Sequence, residues 1–112
     1  MLGKKIRIAV LVSGGGTNLQ ALLNAENEGI LKSGEIALVV ASQKEAFALE
    51  RAKSAQKKAI VLSRAEKNSK EFETELIEVL EGENIELIVL ARFLCILSEG
   101  FVKKYPQKII KN

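Results

Sequence analysis

The sequence predicts an α/β fold: a Rossmann-like, doubly wound parallel sheet of strand order 3-2-1-4, with the start of a fifth strand. Two observations carry this. Short aliphatic runs recur along the chain, beginning with Ile6-Arg7-Ile8-Ala9-Val10-Leu11-Val12, and helical spacing of apolar residues fills the intervals between them. Runs of that kind read as strands buried on both faces, and strict alternation with helices implies right-handed parallel crossovers. The first run also ends in Gly14-Gly15-Gly16 directly before a helix, the order found where a doubly wound sheet meets its ligand. At 112 residues, with no repeat, linker or low-complexity tract, residues 1–112 read as one Rossmann-like domain with a real core.

The elements follow in order. After the glycines, Leu19, Leu22 and Leu23 mark the first helix. Thr17 or Asn18 is expected to cap it, and Gly29 or Gly34 to end it. Residues 35–41 are the second strand. Ser42 is expected to cap a second helix over residues 43–57, with Ala46, Phe47, Leu49, Ala52 and Ala55 apolar and Glu50-Arg51 on the polar side. Residues 59–62 are the third strand. Asn68 or Ser69 opens a third helix, which buries Phe72, Leu76, Ile77, Val79 and Leu80 and ends at Gly82. Residues 85–91 are the fourth strand, and residues 92–97 an apolar loop. Ser98 caps a short helix, Pro106 breaks it, and Lys108-Ile109-Ile110 begin a fifth strand.

Composition narrows the function. With 47% hydrophobic and 28% charged residues the chain is not disordered, and its net charge of +3 is spread over mixed signs rather than gathered on one face. Aromatic residues make up only 4%, so a base-stacking surface for nucleic acid is not expected. No apolar run reaches membrane-spanning length, and no secretory leader is apparent. The single cysteine allows no internal disulfide and suits the cytoplasm. There is no histidine, which removes the usual acid/base at neutral pH, the Ser-His and Cys-His nucleophilic pairs, and the commonest metal ligand. No metal site is expected.

Strand, glycines, polar residues and helix in that order aim backbone N–H groups and the positive end of a helix dipole at one point. The expected occupant is a phosphate. The P-loop pattern is absent, since Thr17-Asn18 stand where Lys and Ser/Thr would follow. The dinucleotide pattern is incomplete, with Leu19 at its third glycine and Val40-Ala41-Ser42 where a ribose-binding acid would stand. A phosphomonoester site at Gly16, Thr17 and Asn18 remains, beside the plainer reading of a tight turn that binds nothing. A side chain at Gly16 would stand where the anion approaches. In the order 3-2-1-4 the first and fourth strands are neighbours, so loops 13–18 and 92–97 should share one crevice.

Four stretches carry a resemblance: Val12-Ser13-Gly14-Gly15-Gly16-Thr17-Asn18-Leu19-Gln20-Ala21, Ala46-Phe47-Ala48-Leu49-Glu50-Arg51-Ala52, Ile88-Val89-Leu90-Ala91 with Phe93-Leu94-Cys95-Ile96-Leu97-Ser98, and Phe101-Val102 with Lys104-Tyr105-Pro106 and Lys108-Ile109-Ile110. In order and spacing they resemble the amino-terminal half of phosphoribosylglycinamide formyltransferase, the folate-dependent enzyme of purine synthesis. The resemblance implies transfer of a formyl group from 10-formyltetrahydrofolate, as co-substrate, to the amine of phosphoribosylglycinamide. It implies that Gly16, Thr17 and Asn18 hold the substrate phosphate. It further implies that Leu94, Cys95, Ile96 and Leu97 line the folate pocket and that Lys70 touches the folate.

The chain departs from the family at two places. The family's catalytic Asn and His lie in an Asn-x-His-Pro motif after the fifth strand, with an Asp later. Here Lys111 takes the Asn position in direct register, Asn112 takes it with one residue inserted, and the His and Asp are absent. Arg92 stands where the family has a small glycine, either crowding the site or adding a phosphate contact. The chain is therefore expected to be inactive alone. A non-catalytic α/β phosphate-binding or interaction module is the alternative; a receiver domain is disfavoured, because Ser13-Gly14 replace its acidic cluster. Cys95 reads as a small pocket or core residue rather than a catalytic thiol, since no histidine supports it. A short fifth strand would leave the edge formed by residues 85–91 and 108–110 open to self-association.

Overall fold

In a computed structural model the described residues are 5–29, 34–43, 46–64, 67–93, 97–106 and 108–111. In chain order the elements are β1 (Ile6–Val12), α1 (Thr17–Asn27), β2 (Gly34–Ala41), α2 (Ala48–Ser54), β3 (Ala59–Val61), α3 (Ser69–Gly82), β4 (Leu87–Leu90), α4 (Glu99–Lys104) and β5 (Ile109–Lys111). The sheet has five parallel strands in the order β3-β2-β1-β4-β5. β1 lies at its centre, and Ala9, Val10, Leu11 and Val12 have no exposed surface at all.

Side chains of β1 alternate between two cores. Ile8, Val10 and Val12 pack with Leu19 and Leu23 of α1 and Ala48 and Ala52 of α2. Ala9 and Leu11 pack on the other face with Phe72, Leu76 and Leu80 of α3 and Phe101 of α4. Each helix thus covers the face its apolar spacing selects, and the sheet is enclosed as a doubly wound fold requires. Ile8 pairs with Ile36 but Ala9 with Leu38, so Ala37 is an extra residue in β2. That is why Ile36 joins one core and Leu38, two residues on, joins the other.

Helix ends differ from the sequence expectation in two places. α1 is capped by neither Thr17 nor Asn18; its N-cap is Gly16, at φ 80, with no side-chain cap. α2 runs over Ala48–Ser54, not 43–57. Ser42 does not cap it, because the helix starts only at Ala48 with Phe47 at its N-cap; the Ser42 hydroxyl donates to Ser13 Oγ at 2.9 Å, in a buried link between the ends of β1 and β2. Beyond α2 the chain turns at Gln56, with φ 60. Asn68 does cap α3, in a capping box with Glu71, and the Ser98 hydroxyl caps α4 by accepting from the Phe101 amide.

β5 pairs with β4 through Ile88↔Ile109, Val89↔Ile110 and Leu90↔Lys111. The edge of β4 is therefore covered, and among the described residues β5 is the outermost strand on that side, where Ile110 is 51% exposed. Among the described residues, one buried polar atom lacks a partner: the Tyr105 hydroxyl, on a ring 5.4 Å from that of Phe101. Burial, and then the nearby Glu81, raise its pKa above the ordinary tyrosine value. Removing an unpaired buried hydroxyl relieves a desolvation penalty. Tyr105→Phe is expected to leave stability unchanged or raise it by about 1 kcal/mol, read from the denaturant midpoint.

Candidate phosphate site at the glycine loop

The site begins where β1 ends. Ser13 is buried, and the Ser42 amide donates to the Val12 carbonyl at 3.0 Å. The chain then emerges, and Gly14 and Gly15 are exposed. Both of their carbonyls turn to α2: Gly14 O accepts from the Ala48 amide at 3.2 Å and Gly15 O from Arg51 Nε at 2.8 Å. Gly16 makes the left-handed turn, and its carbonyl accepts the first α1 hydrogen bond from Gln20 N at 2.8 Å. Among the described residues, no backbone carbonyl accepts from the N–H groups of residues 14–18. Those donors stand at the positive end of α1, a setting that favours an anion.

A cleft of about 240 Å³ opens in front of them, lined by Gly14, Gly15, Gly16, Thr17, Asn18, Ala91 and Arg92. β4 reaches it because the Ala91 amide donates to the Leu11 carbonyl at 2.9 Å, which fixes the end of β4 beside the glycine loop. Ala91 and Arg92, where the chain leaves β4, therefore share one crevice with the glycine loop. Of the residues expected from sequence, Gly16, Thr17 and Asn18 lie together there. Lys70 stands exposed on the first turn of α3 and does not line this cleft. Leu97 is half-buried against the core beneath α3 and α4. Leu94, Cys95, Ile96 and Asn112 lie outside the described residues.

Three features were not legible in the sequence. The space beside the Gly16 α-carbon points at α2 rather than into the cleft: a Cβ there would lie 2.7 Å from Ala48 Cβ and 3.2 Å from Arg51 Cδ. The glycine is thus needed for close packing and for φ 80, not to clear the anion's path. Arg51, placed on a polar helix face, turns toward the loop; its only sequence signal is its spacing of three from Ala48. Arg92 lies at φ 57, in the left-handed region that favours glycine. Arg92→Gly is therefore expected to raise stability by about 1 kcal/mol, measured as a higher denaturant midpoint.

Among the described residues, no three His, Cys, Asp or Glu side chains gather where they could hold a metal ion. No helix there is long and apolar enough to cross a membrane.

Fold and cleft together define a Rossmann-like α/β protein with a glycine loop at the carboxyl end of its central strand. Residues 6–112 match the family described as formyl transferase, and the chain belongs to that family. It is 36% identical over 105 residues to the phosphoribosylglycinamide formyltransferase of Haemophilus influenzae, covering 93% of this chain and 49% of that protein. It is 40% identical over 107 residues to the trifunctional purine biosynthetic protein adenosine-3 of Gallus gallus, covering 95% of this chain and 11% of that protein. The structure of the phosphoribosylglycinamide formyltransferase of Coxiella burnetii superposes with a TM-score of 0.89 at 34% identity, covering 96% of this chain and 51% of that one. The chain thus spans about half the length of the phosphoribosylglycinamide formyltransferases it matches.

Proposed function

We propose that this chain supplies the substrate-phosphate side of a phosphoribosylglycinamide formyltransferase site, acting in the cytoplasm. The observation that carries the reading is the cleft itself, lined by residues 14–18, whose N–H groups are without carbonyl partners among the described residues, and by Arg92. Backbone donors at a helix start hold a phosphate by charge and geometry without a dedicated side chain. Gly16, Thr17 and Asn18 take the phosphate of phosphoribosylglycinamide in this proposal.

The folate co-substrate, 10-formyltetrahydrofolate, supplies the formyl group. Leu94, Cys95, Ile96 and Leu97 are proposed as its apolar wall and Lys70 as a polar contact, by family resemblance. Of these, Leu97 fits an apolar wall by its half-buried position. Asn112, or Lys111 in direct register, is proposed at the catalytic Asn position. The lack of any histidine favours, for the 112-residue polypeptide by itself, phosphate binding without turnover.

The test is an NMR titration with ribose 5-phosphate. Amide signals of residues 14–18 are expected to shift together and saturate; unmoved signals would reject the site. The free edge of β5 and the apolar groove of about 320 Å³ formed by Ile8, Val10, Leu22, Ile36, Leu87, Val89 and Ile110 are also proposed to make the 112-residue polypeptide self-associate. Sedimentation is expected to show a concentration-dependent mass; a monomer throughout would count against it.

A further inference from the structure

We infer that Arg51 is a positioning residue for the glycine loop: with the Ala48 amide it pins two loop carbonyls to α2 and so aims the next two amides into the cleft. The inference rests on the phosphate reading above. Its core is the geometry of the peptide unit. In a trans peptide the C=O and the following N–H point in opposite directions. The Gly14 carbonyl shares its peptide with the Gly15 N–H, and the Gly15 carbonyl with the Gly16 N–H. Ala48 N holds the first carbonyl at 3.2 Å and Arg51 Nε the second at 2.8 Å. Both N–H groups must then point away from α2.

The strand order says what lies in that direction. α2 joins β2 to β3, on one side of β1, while Ala91 and Arg92 follow β4, on the other. The cleft lies between the glycine loop and Ala91-Arg92. Anchoring the carbonyls to α2 thus presents the amides to the anion.

Arg51 is itself held firmly enough to do this. Its Nη1 donates to Gln20 Oε1 on α1 at 3.2 Å, and its guanidinium stacks over the Phe47 ring at 5.1 Å. It therefore ties loop, α1 and α2 together with one planar group. A lysine ammonium has no such fork and cannot stack in the same way. Without the guanidinium, the Gly15-Gly16 peptide has no side chain of its own to restrain it and is free to rotate. Rotation would turn the Gly15 carbonyl toward the phosphate, and that oxygen repels it.

The test compares ribose 5-phosphate affinity, by NMR titration, in the full chain and three variants. Arg51→Met is expected to raise Kd about tenfold, equivalent to about 1.4 kcal/mol. Arg51→Lys, which reaches one acceptor, is expected to fall between Met and wild type. Leu49→Ala, on the same helix but packed toward the core, is expected to lower Tm and leave Kd unchanged. A purely structural role for Arg51 predicts the Leu49→Ala pattern at both positions. Wild-type affinity in Arg51→Met overturns the inference and leaves the phosphate reading standing. If Arg51→Met does not fold, Arg51→Lys decides, and wild-type affinity there overturns it. Unmoved loop amides in the wild type remove the phosphate reading, and this inference with it.

Discussion

The 112-residue polypeptide, given phosphoribosylglycinamide and 10-formyltetrahydrofolate, is expected to transfer no formyl group above the uncatalysed rate. Transfer forms a bond from the substrate nitrogen to the formyl carbon and breaks the bond from that carbon to the folate nitrogen. The attacking amine must lose a proton and the departing folate nitrogen must gain one. The described cleft offers backbone amides, Thr17, Asn18 and Arg92. None of these side chains belongs to the usual acid–base set of His, Glu, Asp, Lys, Tyr and Cys. The sequence contains no histidine to stand in. General acid–base help is worth roughly 10²- to 10⁴-fold, and loss of alignment between two bound substrates removes more. A coupled assay on purified protein checks this; turnover that follows the protein through purification and is lost in Gly16→Ala would overturn it.

Much of the fold is legible in the sequence because burial on both faces leaves a plain mark. β1 must be aliphatic nearly throughout, since from Ala9 to Val12 nothing is exposed, and such a run ending in glycines admits few readings. Capping chemistry is legible where it is local. Asn68 and Glu71 form their box within one turn, and Ser98 accepts from Phe101 three residues on. It is not legible where a distant partner competes. Ser42 looks like a cap, but its hydroxyl goes to Ser13, 29 residues earlier, and α2 starts at Ala48 rather than at residue 43, where that cap would place it. The extra residue at Ala37 leaves no mark either, because an aliphatic strand reads the same whichever core each side chain enters.

The site divides in the same way. The glycines announce a sharp strand-to-helix turn, and the strand order brings Arg92 to it. What local pattern does not carry is direction. Gly16 faces α2, and Arg51 bonds to a carbonyl 36 residues earlier in the chain. Both facts depend on how α2 settles on the loop, which only the packing of Ala48 and Ala52 into the core decides. Arg92 is a local conflict of a different kind. A bulky residue at φ 57 opposes its own backbone preference. Such conflicts gather at functional positions, where surrounding structure holds them.

Gly16→Ala is expected to destabilise the chain by about 3 kcal/mol and to abolish the response of the loop amides to ribose 5-phosphate. Two separate penalties add. At φ 80 any residue with a Cβ is in the left-handed region, which costs about 1–2 kcal/mol. The added methyl would also lie 2.7 Å from Ala48 Cβ and 2.8 Å from Ala48 Cα. Ala48 has no exposed surface and sits in the core with Val12, Leu19 and Ala52, so it has nowhere to retreat. Forcing a methyl into packing of that density costs about 1–3 kcal/mol more. The relief available is for α2 to lift away from the loop. That lengthens the bonds from Ala48 N to Gly14 O and from Arg51 Nε to Gly15 O, the two contacts that orient the amides. Gly15→Ala is the contrast, because a Cβ at Gly15 meets nothing within 4 Å. It is expected to change stability by less than about 0.5 kcal/mol, as an ordinary exposed substitution does. Denaturant midpoints of the two variants, measured beside the phosphate titration, separate the two positions. Equal midpoints would mean that α2 does not brace the loop. A Gly16→Ala chain that still binds would show that the amides keep their aim without that brace.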